Sequence, residues 1–226
     1  MRDRWEETIR SAGKNSKSLA CLKLPAKARS LYCLRGGWRV TSKGFHKYRY
    51  ILAIDLGYSF KNGTAVAIFD KETHLLIVCG ILRPFAPGLD DHRATIEMAA
   101  KVKEFWVIHI GFSWDPEILC IEYPQNCFVK NGFTVNAKNI IMLGILGARI
   151  EGLFSPKKPL RPSPNQWKGN ASKEQTQEYV LNNLCVWSKK NLERDLVSIP
   201  KNLHHNVYDA IGLGLWAIKN KDSDEK

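Results

Sequence analysis

Asp55, Glu122 and Asp209 are the residues through which this sequence could do chemistry. Asp55 ends the apolar run "YILAID" and precedes Gly57, Glu122 ends "PEILCIE" ahead of Pro124, and Asp209 falls in "NVYDAIGLGLWAIKN". Each acid alone has a simple use: an Asx-type turn for Asp55, a solvated strand end for Glu122, a helix-dipole partner for Asp209. Two buried-type strands that both finish on a carboxylate, with a third acid early in a helix, point elsewhere. If the two strands are neighbours the three side chains meet, and gathered carboxylates repel one another unless a cation neutralises them. Oxygen-only ligands favour Mg²⁺ or Mn²⁺ over zinc.

The elements that must position these acids become legible at residue 50. "YILAID" and "GTAVAIFD" are apolar runs separated by "LGYSFKN", where Gly57, Asn62 and Gly63 supply turn chemistry, so a β-hairpin is expected. "HLLIVCGIL" gives a third strand, "HRATIEMAAKVKEFWVIHI" a helix with Asp90 or Asp91 near its start, and "PEILCIEYPQ" a buried fourth strand. "TVNAKNIIMLGILGARIEGLF" predicts a helix with Asn136 near its start and Gly144 and Gly147 on its surface, where small residues permit close approach to another helix. "KPLRPSPNQWKG" is too rich in proline for a helix and is expected to hold a short strand ending near Trp167. Ser172 caps the following helix with Gln175 in the capping-box position, and residues 206–220 form the last helix. This order predicts an α/β fold whose mixed central sheet, a three-strand antiparallel meander plus parallel strands, is flanked by helices.

A chain of 226 residues, 44% of them hydrophobic, can bury one main core. Its charge is unevenly placed: residues 1–50 hold thirteen Lys/Arg against Asp3, Glu6 and Glu7, and so carry ten of the twelve formal positive charges. Residues 1–49 read as a basic extension, 50–220 as the domain and 221–226 as a charged tail. The extension interleaves its cations with Tyr32, Trp38, Phe45 and Tyr48, which suits phosphate contact with base stacking, or a poorly ordered tail. No apolar stretch approaches the roughly 20 residues needed to cross a bilayer, and the N-terminus has no apolar signal core, so a soluble cytoplasmic protein without membrane contact is expected. Cys21, Cys33, Cys79, Cys120, Cys127 and Cys185 form no C-x-x-C pair and have no zinc-type spacing, so reduced thiols are expected.

Together "ILAIDLGYSFKNGTAVAIFD", "CIEYPQN" and "HHNVYDAIGLGLWAI" resemble the RuvC-type Holliday-junction resolvases of the RNase H-like superfamily, especially their small phage-borne relatives. "RPSPNQWKGNASKEQTQ" resembles the W-K-G-x-x-x-K segment of that group, and the likeness covers about residues 50 to 219. The resemblance implies an RNase H-like fold, with Asp55, Glu122 and Asp209 as ligands of two catalytic Mg²⁺ ions for which Mn²⁺ substitutes. It implies a crossover junction endodeoxyribonuclease that hydrolyses phosphodiester bonds at four-way DNA junctions, in recombination, repair or phage DNA processing, within a bacterial or phage-infected cell. The family commonly places an Asp or His three residues before the last acid. Here Asn206 holds that position with His205 one step further back, and either lies on the helical face of Asp209. Lys168 and Lys173 fit phosphate contacts, while Tyr58 fits either a nucleic-acid contact or packing on the hairpin. The near two-fold symmetry of a four-way junction implies a homodimer, with the Gly144 and Gly147 helix as the candidate interface. Two alternatives stay open: an RNase H-like nuclease acting on other branched DNA or on RNA, and a non-catalytic nucleic-acid-binding module.

Overall fold

The computed structural model describes residues 50–111, 114–124, 137–156 and 158–221. The basic extension, Asn136 and the charged tail beyond Lys221 lie outside the described residues. Strands β1 (Tyr50–Asp55), β2 (Thr64–Asp70) and β3 (Leu76–Leu82) are followed by α1 (Asp91–His109), β4 (Ile118–Ile121), α2 (Ala137–Leu153) and β5 (Lys158–Leu160). Then come the single turn α3 (Pro164–Trp167), α4 (Lys173–Asn183), α5 (Val186–Leu196), a 3₁₀ turn (Lys201–Leu203) and α6 (His204–Lys221). The five strands lie in the order β3-β2-β1-β4-β5. β1 pairs antiparallel with β2 and parallel with β4, which is the adjacency that joins the two acid-terminated strands.

Side chains alternate across a strand, so each strand feeds two cores. Ile51 and Ala53 of β1, Ala67 and Phe69 of β2 and Ile118 and Cys120 of β4 face the layer containing α4, α5 and α6. Leu52 and Ile54, Val66 and Ile68, and Leu119 and Ile121 face α1 and α2, packing with Met98, Trp106 and Leu146. Burial on both faces explains why these strands read as continuous apolar runs. Asp90 caps α1, its Oδ1 accepting the Arg93 amide at 2.9 Å. Ser172 caps α4 in the capping box expected of it. Cys79, Cys120 and Cys185 are free thiols, and no described helix is long and apolar enough to cross a membrane.

Two features depart from expectation. The proline-rich segment ends its strand at Leu160, and the residues up to Trp167 form a helical turn instead of a strand. Pro164 stands at the first position of that turn, where its missing N–H costs no hydrogen bond, and the Ser163 amide donates to Gln166 Oε1 at 2.7 Å. The second is α5, a helix absent from the sequence reading. It lies along the outer edge of β3 and satisfies the strand's unpaired backbone through side chains. Ser188 Oγ accepts the Leu76 amide at 3.0 Å, Asn191 Nδ2 donates to Leu76 O at 2.7 Å, and Asp195 Oδ2 accepts the Cys79 amide at 3.0 Å.

Candidate functional site

Strand parity decides where the acids point. Asp55 continues the alternation of Ile51 and Ala53, and Glu122, one residue past β4, continues that of Ile118 and Cys120. Both therefore project from the same end of adjacent parallel strands onto the α6 face, where Asp209 lies. The Glu122 amide donates to Ile54 O at 3.0 Å and fixes the two strand ends side by side. The chain leaving Asp55 is held by a tight loop. Gly57 N donates to Thr64 Oγ1 at 3.2 Å, the Thr64 hydroxyl donates back to Gly57 O, and Gly63 takes φ +68°. A Cβ on Gly57 would lie 1.9 Å from Gly63 O, so only glycine closes this loop.

Trp167 and Lys168 clasp the acids from the α3 side. The Trp167 indole donates to Glu122 Oε2 at 2.5 Å. Lys168 Nζ donates to Asp209 Oδ2 at 2.9 Å and stands 3.9 Å from Glu122 Oε2. The indole reaches this position because α6 carries glycine beneath it: a Cβ on Gly212 would come within 2.7 Å of Trp167 Cζ3.

The electrostatics follow from three acids sharing one ammonium. Burial, reinforced by Glu122 and Asp209, holds the Asp55 carboxyl well above the usual carboxylate range, with Lys168 opposing. Burial also raises Glu122, against the pull of Lys168 and of the Trp167 hydrogen bond. Lys168 is itself raised: burial opposes its charge, but Glu122, Asp209 and Asp55 together outweigh it. A donor set of three carboxylates with a single positive charge among them matches the oxygen ligands that Mg²⁺ or Mn²⁺ take. Among the described residues, no group of three or more His, Cys, Asp or Glu side chains is arranged to hold an ion as it stands, and the Lys168 ammonium occupies the position between Asp209 and Glu122.

No protein-family model and no curated protein matches this sequence. Solved structures do. The yeast mitochondrial Holliday junction resolvase Ydc2 is similar over 84% of this chain and 84% of its own, at 11% identity and a TM-score of 0.50. The chain shares the fold of that structure, a mixed five-stranded sheet flanked by helices. Thermus thermophilus RuvC (15% identity, 77% of this chain and 96% of that one, TM-score 0.49) and the fowlpox virus Holliday junction resolvase (14%, 76% and 98%, TM-score 0.45) are also similar.

On this fold the remaining sequence candidates separate. His205 and Asn206 lie in the first turn of α6, both half-buried. Burial and the nearby Lys173 lower the His205 imidazole, with Asp209 opposing, which places that ring near Asp209. Among the described residues the Asn206 side chain makes no hydrogen bond. Lys173 is exposed at the start of α4. Tyr58 packs against the α1 and α2 core and donates to Asn139 Oδ1 of α2 at 2.7 Å, so the packing alternative describes it. Lys168, for which a phosphate contact is expected, is ion-paired with the acids in the chain alone. In the sequence Trp167 marks the expected end of a short strand and falls in the W-K-G resemblance, and that motif is the one signal for its contact with Glu122.

Trp167→Phe isolates that contact, because phenylalanine retains a ring over Gly212 and loses the N–H. Partners that orient a metal-ligating group typically matter by about 10–100-fold. For the activity proposed below, the expected result is that much loss in turnover, with stability changed by no more than about 1–2 kcal/mol in denaturant titrations. Unchanged turnover would show that Glu122 needs no indole to orient it.

Proposed function

We propose that this chain is a divalent-metal-dependent endonuclease that cuts the phosphodiester backbone of four-way DNA junctions. The observation that carries the reading is the meeting of Asp55, Glu122 and Asp209 at one end of the sheet, with Lys168 as their shared counter-charge. The substrate class rests on the fold shared with a protein named as a Holliday junction resolvase. A pure binding module gains nothing from clustered negative charge facing phosphates.

Asp55, Glu122 and Asp209 are the residues that would hold Mg²⁺, or Mn²⁺ in its place. Two ions bound there would supply an activated water for in-line attack and neutralise the leaving 3′ oxygen. The chain's own groups do the rest. The Trp167 indole holds Glu122 in one orientation. Lys168, and Lys173 at the start of α4, present ammonium groups to the phosphates on either side of the cut. His205, whose imidazole is held below its ordinary value by burial and Lys173, is placed to accept a proton beside Asp209.

Paired cuts across a two-fold junction require two copies. We place the contact on the exposed face of α2, where Ile141, Ala148 and Leu153 are exposed and no atom approaches a Cβ built on Gly144 or Gly152. Gly147 is not available to it: a Cβ there would lie 2.8 Å from the Tyr123 hydroxyl oxygen, so that glycine serves packing within the chain.

The test is cleavage of an end-labelled four-way junction in Mg²⁺ beside linear duplex, flap and RNA/DNA hybrid. Paired symmetric cuts confined to the junction are expected. Metal-dependent cutting of another substrate alone would replace the junction assignment, and binding without metal-dependent cutting would overturn the nuclease reading.

A further inference from the structure

We propose that Lys168 is an internal cation that holds the metal position between Asp209 and Glu122 and must leave it before a divalent ion can enter. This rests on the nuclease reading of the same site and adds to it a control on metal occupancy supplied by the chain itself.

The geometry favours a head that moves on a fixed base. Lys168 follows directly on α3, and its backbone is pinned on both sides: its own amide donates to Pro164 O at 2.9 Å, the Gly169 amide to the same carbonyl at 3.2 Å, and the Ala171 amide to Lys168 O at 3.0 Å. Gly169, at φ +57°, makes the turn that follows. What remains free is a four-carbon stem ending in the ammonium. That ammonium is on Asp209 Oδ2 at 2.9 Å, within 3.9 Å of Glu122 Oε2, and 4.8 Å from the centroid of the Trp167 ring. The ring face already attracts the ammonium, and it keeps that cation–π contact to lean on once the carboxylates are taken. The Lys168 side chain keeps 22% of its surface accessible, so a route outward exists without backbone motion.

Charge and space then make lysine and metal exclusive. Mg²⁺ binds carboxylate oxygens at about 2.0–2.1 Å and Mn²⁺ takes similar ligands, so either would claim the Asp209 Oδ2 that the ammonium now holds. An ammonium and a divalent ion on the same oxygen would also repel one another at short range. In the resting chain Lys168 offsets part of the mutual repulsion of the three acids. In the loaded chain the same ammonium, displaced outward, is delivered towards the phosphate that the acids' new cation attracts. Metal binding in the wild type is accordingly weaker than the three acids alone would give.

The experiment uses the full chain and Mn²⁺ as probe, measured by isothermal titration calorimetry without DNA. Lys168→Gln, which keeps a polar end group and removes the charge, is expected to bind Mn²⁺ about tenfold more tightly than wild type, a gain kept small by solvent screening. Lys168→Arg, which keeps the charge, stays within about threefold of wild type. Thermal melts in EDTA establish that each variant folds. A crystal structure of the wild type with Ca²⁺ is expected to find Lys168 Nζ beyond ion-pair distance, about 4 Å, from Asp209 Oδ2. Equal or weaker Mn²⁺ binding by folded Lys168→Gln, or Lys168 still on Asp209 beside a bound ion, overturns this inference and leaves the nuclease reading standing. Failure of both wild type and Lys168→Gln to bind Mn²⁺ overturns the nuclease reading and this inference with it.

Discussion

Asp55→Asn is expected to abolish cleavage and, without divalent ions, to raise the melting temperature at neutral pH. On the proposed nuclease reading Asp55 is a metal-holding carboxylate, and its loss forfeits several kcal/mol of transition-state stabilisation, so turnover should fall by about 10³-fold or more. The stability gain has a separate cause. Burial, Glu122 and Asp209 hold the folded Asp55 carboxyl well above its ordinary value, so the folded chain binds a proton there more tightly than the unfolded chain does. Stability therefore falls as pH rises from the unfolded carboxylate value of about 3.9 through the folded value, and the full penalty is present above it. Asparagine is neutral throughout and escapes that penalty. The variant should melt above wild type at pH 7.5 in EDTA, and the gap should close as pH approaches about 4. Mg²⁺ should reverse the order, since a ligand bound only by the native wild type adds about 2.7 kcal/mol at a hundredfold excess over its Kd. Calorimetric melts at both pH values, with EDTA and with Mg²⁺, check each limb. A variant that melts below wild type at pH 7.5 in EDTA would falsify the picture of a strained acid cluster.

What the sequence disclosed and what it hid divide along a physical line. Strand parity is local, so the facing of Asp55 and Glu122 could be read from the alternation before them, given only that β1 and β4 are neighbours. The β1–β4 pairing meets that condition. α5 was hidden for the opposite reason. Its buried positions are few, Ser188 and Leu192, and its inward face does its work with Ser188, Asn191 and Asp195 on a strand edge. Leu192 and Leu196 are its only apolar residues on the core, so the apolar period is carried by too few positions to stand out. The turn at Pro164 was missed because proline is judged a helix breaker, whereas at the first helical position it is favoured. Lys168 illustrates a third limit. Its type and neighbours announced a phosphate contact, but which anion it meets first depends on how α3 sits against α6, and no short-range spacing encodes that.

That seating depends on α6 lying close over β1 and β2, which makes Gly214 the residue whose enlargement should cost most in stability. A Cβ there would stand 2.4 Å from Phe69 Cε2, 2.8 Å from Phe69 Cδ2 and 3.3 Å from the Ala53 Cβ. Phe69 and Ala53 are both fully buried, so neither can swing into solvent to make room. The helix must lift or the sheet must give, and overpacking of this kind costs about 1–3 kcal/mol. Gly214→Ala should lose about 2 kcal/mol, because the strain outweighs the better helix propensity of alanine. Gly214→Val adds two further methyl groups and should reach about 3 kcal/mol or more. Urea titrations measure both, and Gly152→Ala, with nothing within 4 Å of its added carbon, serves as the neutral comparison on α2. Because the two shortest contacts are with one side chain, Phe69→Leu should restore part of the loss in Gly214→Ala while destabilising the parent chain, a coupling that a double-mutant cycle isolates. The same lift displaces Asp209 relative to Asp55 and Glu122. Gly214→Ala should therefore lose nuclease turnover even at temperatures where it is fully folded, and a folded variant with undiminished turnover would mean that the acids tolerate movement of the helix that carries one of them.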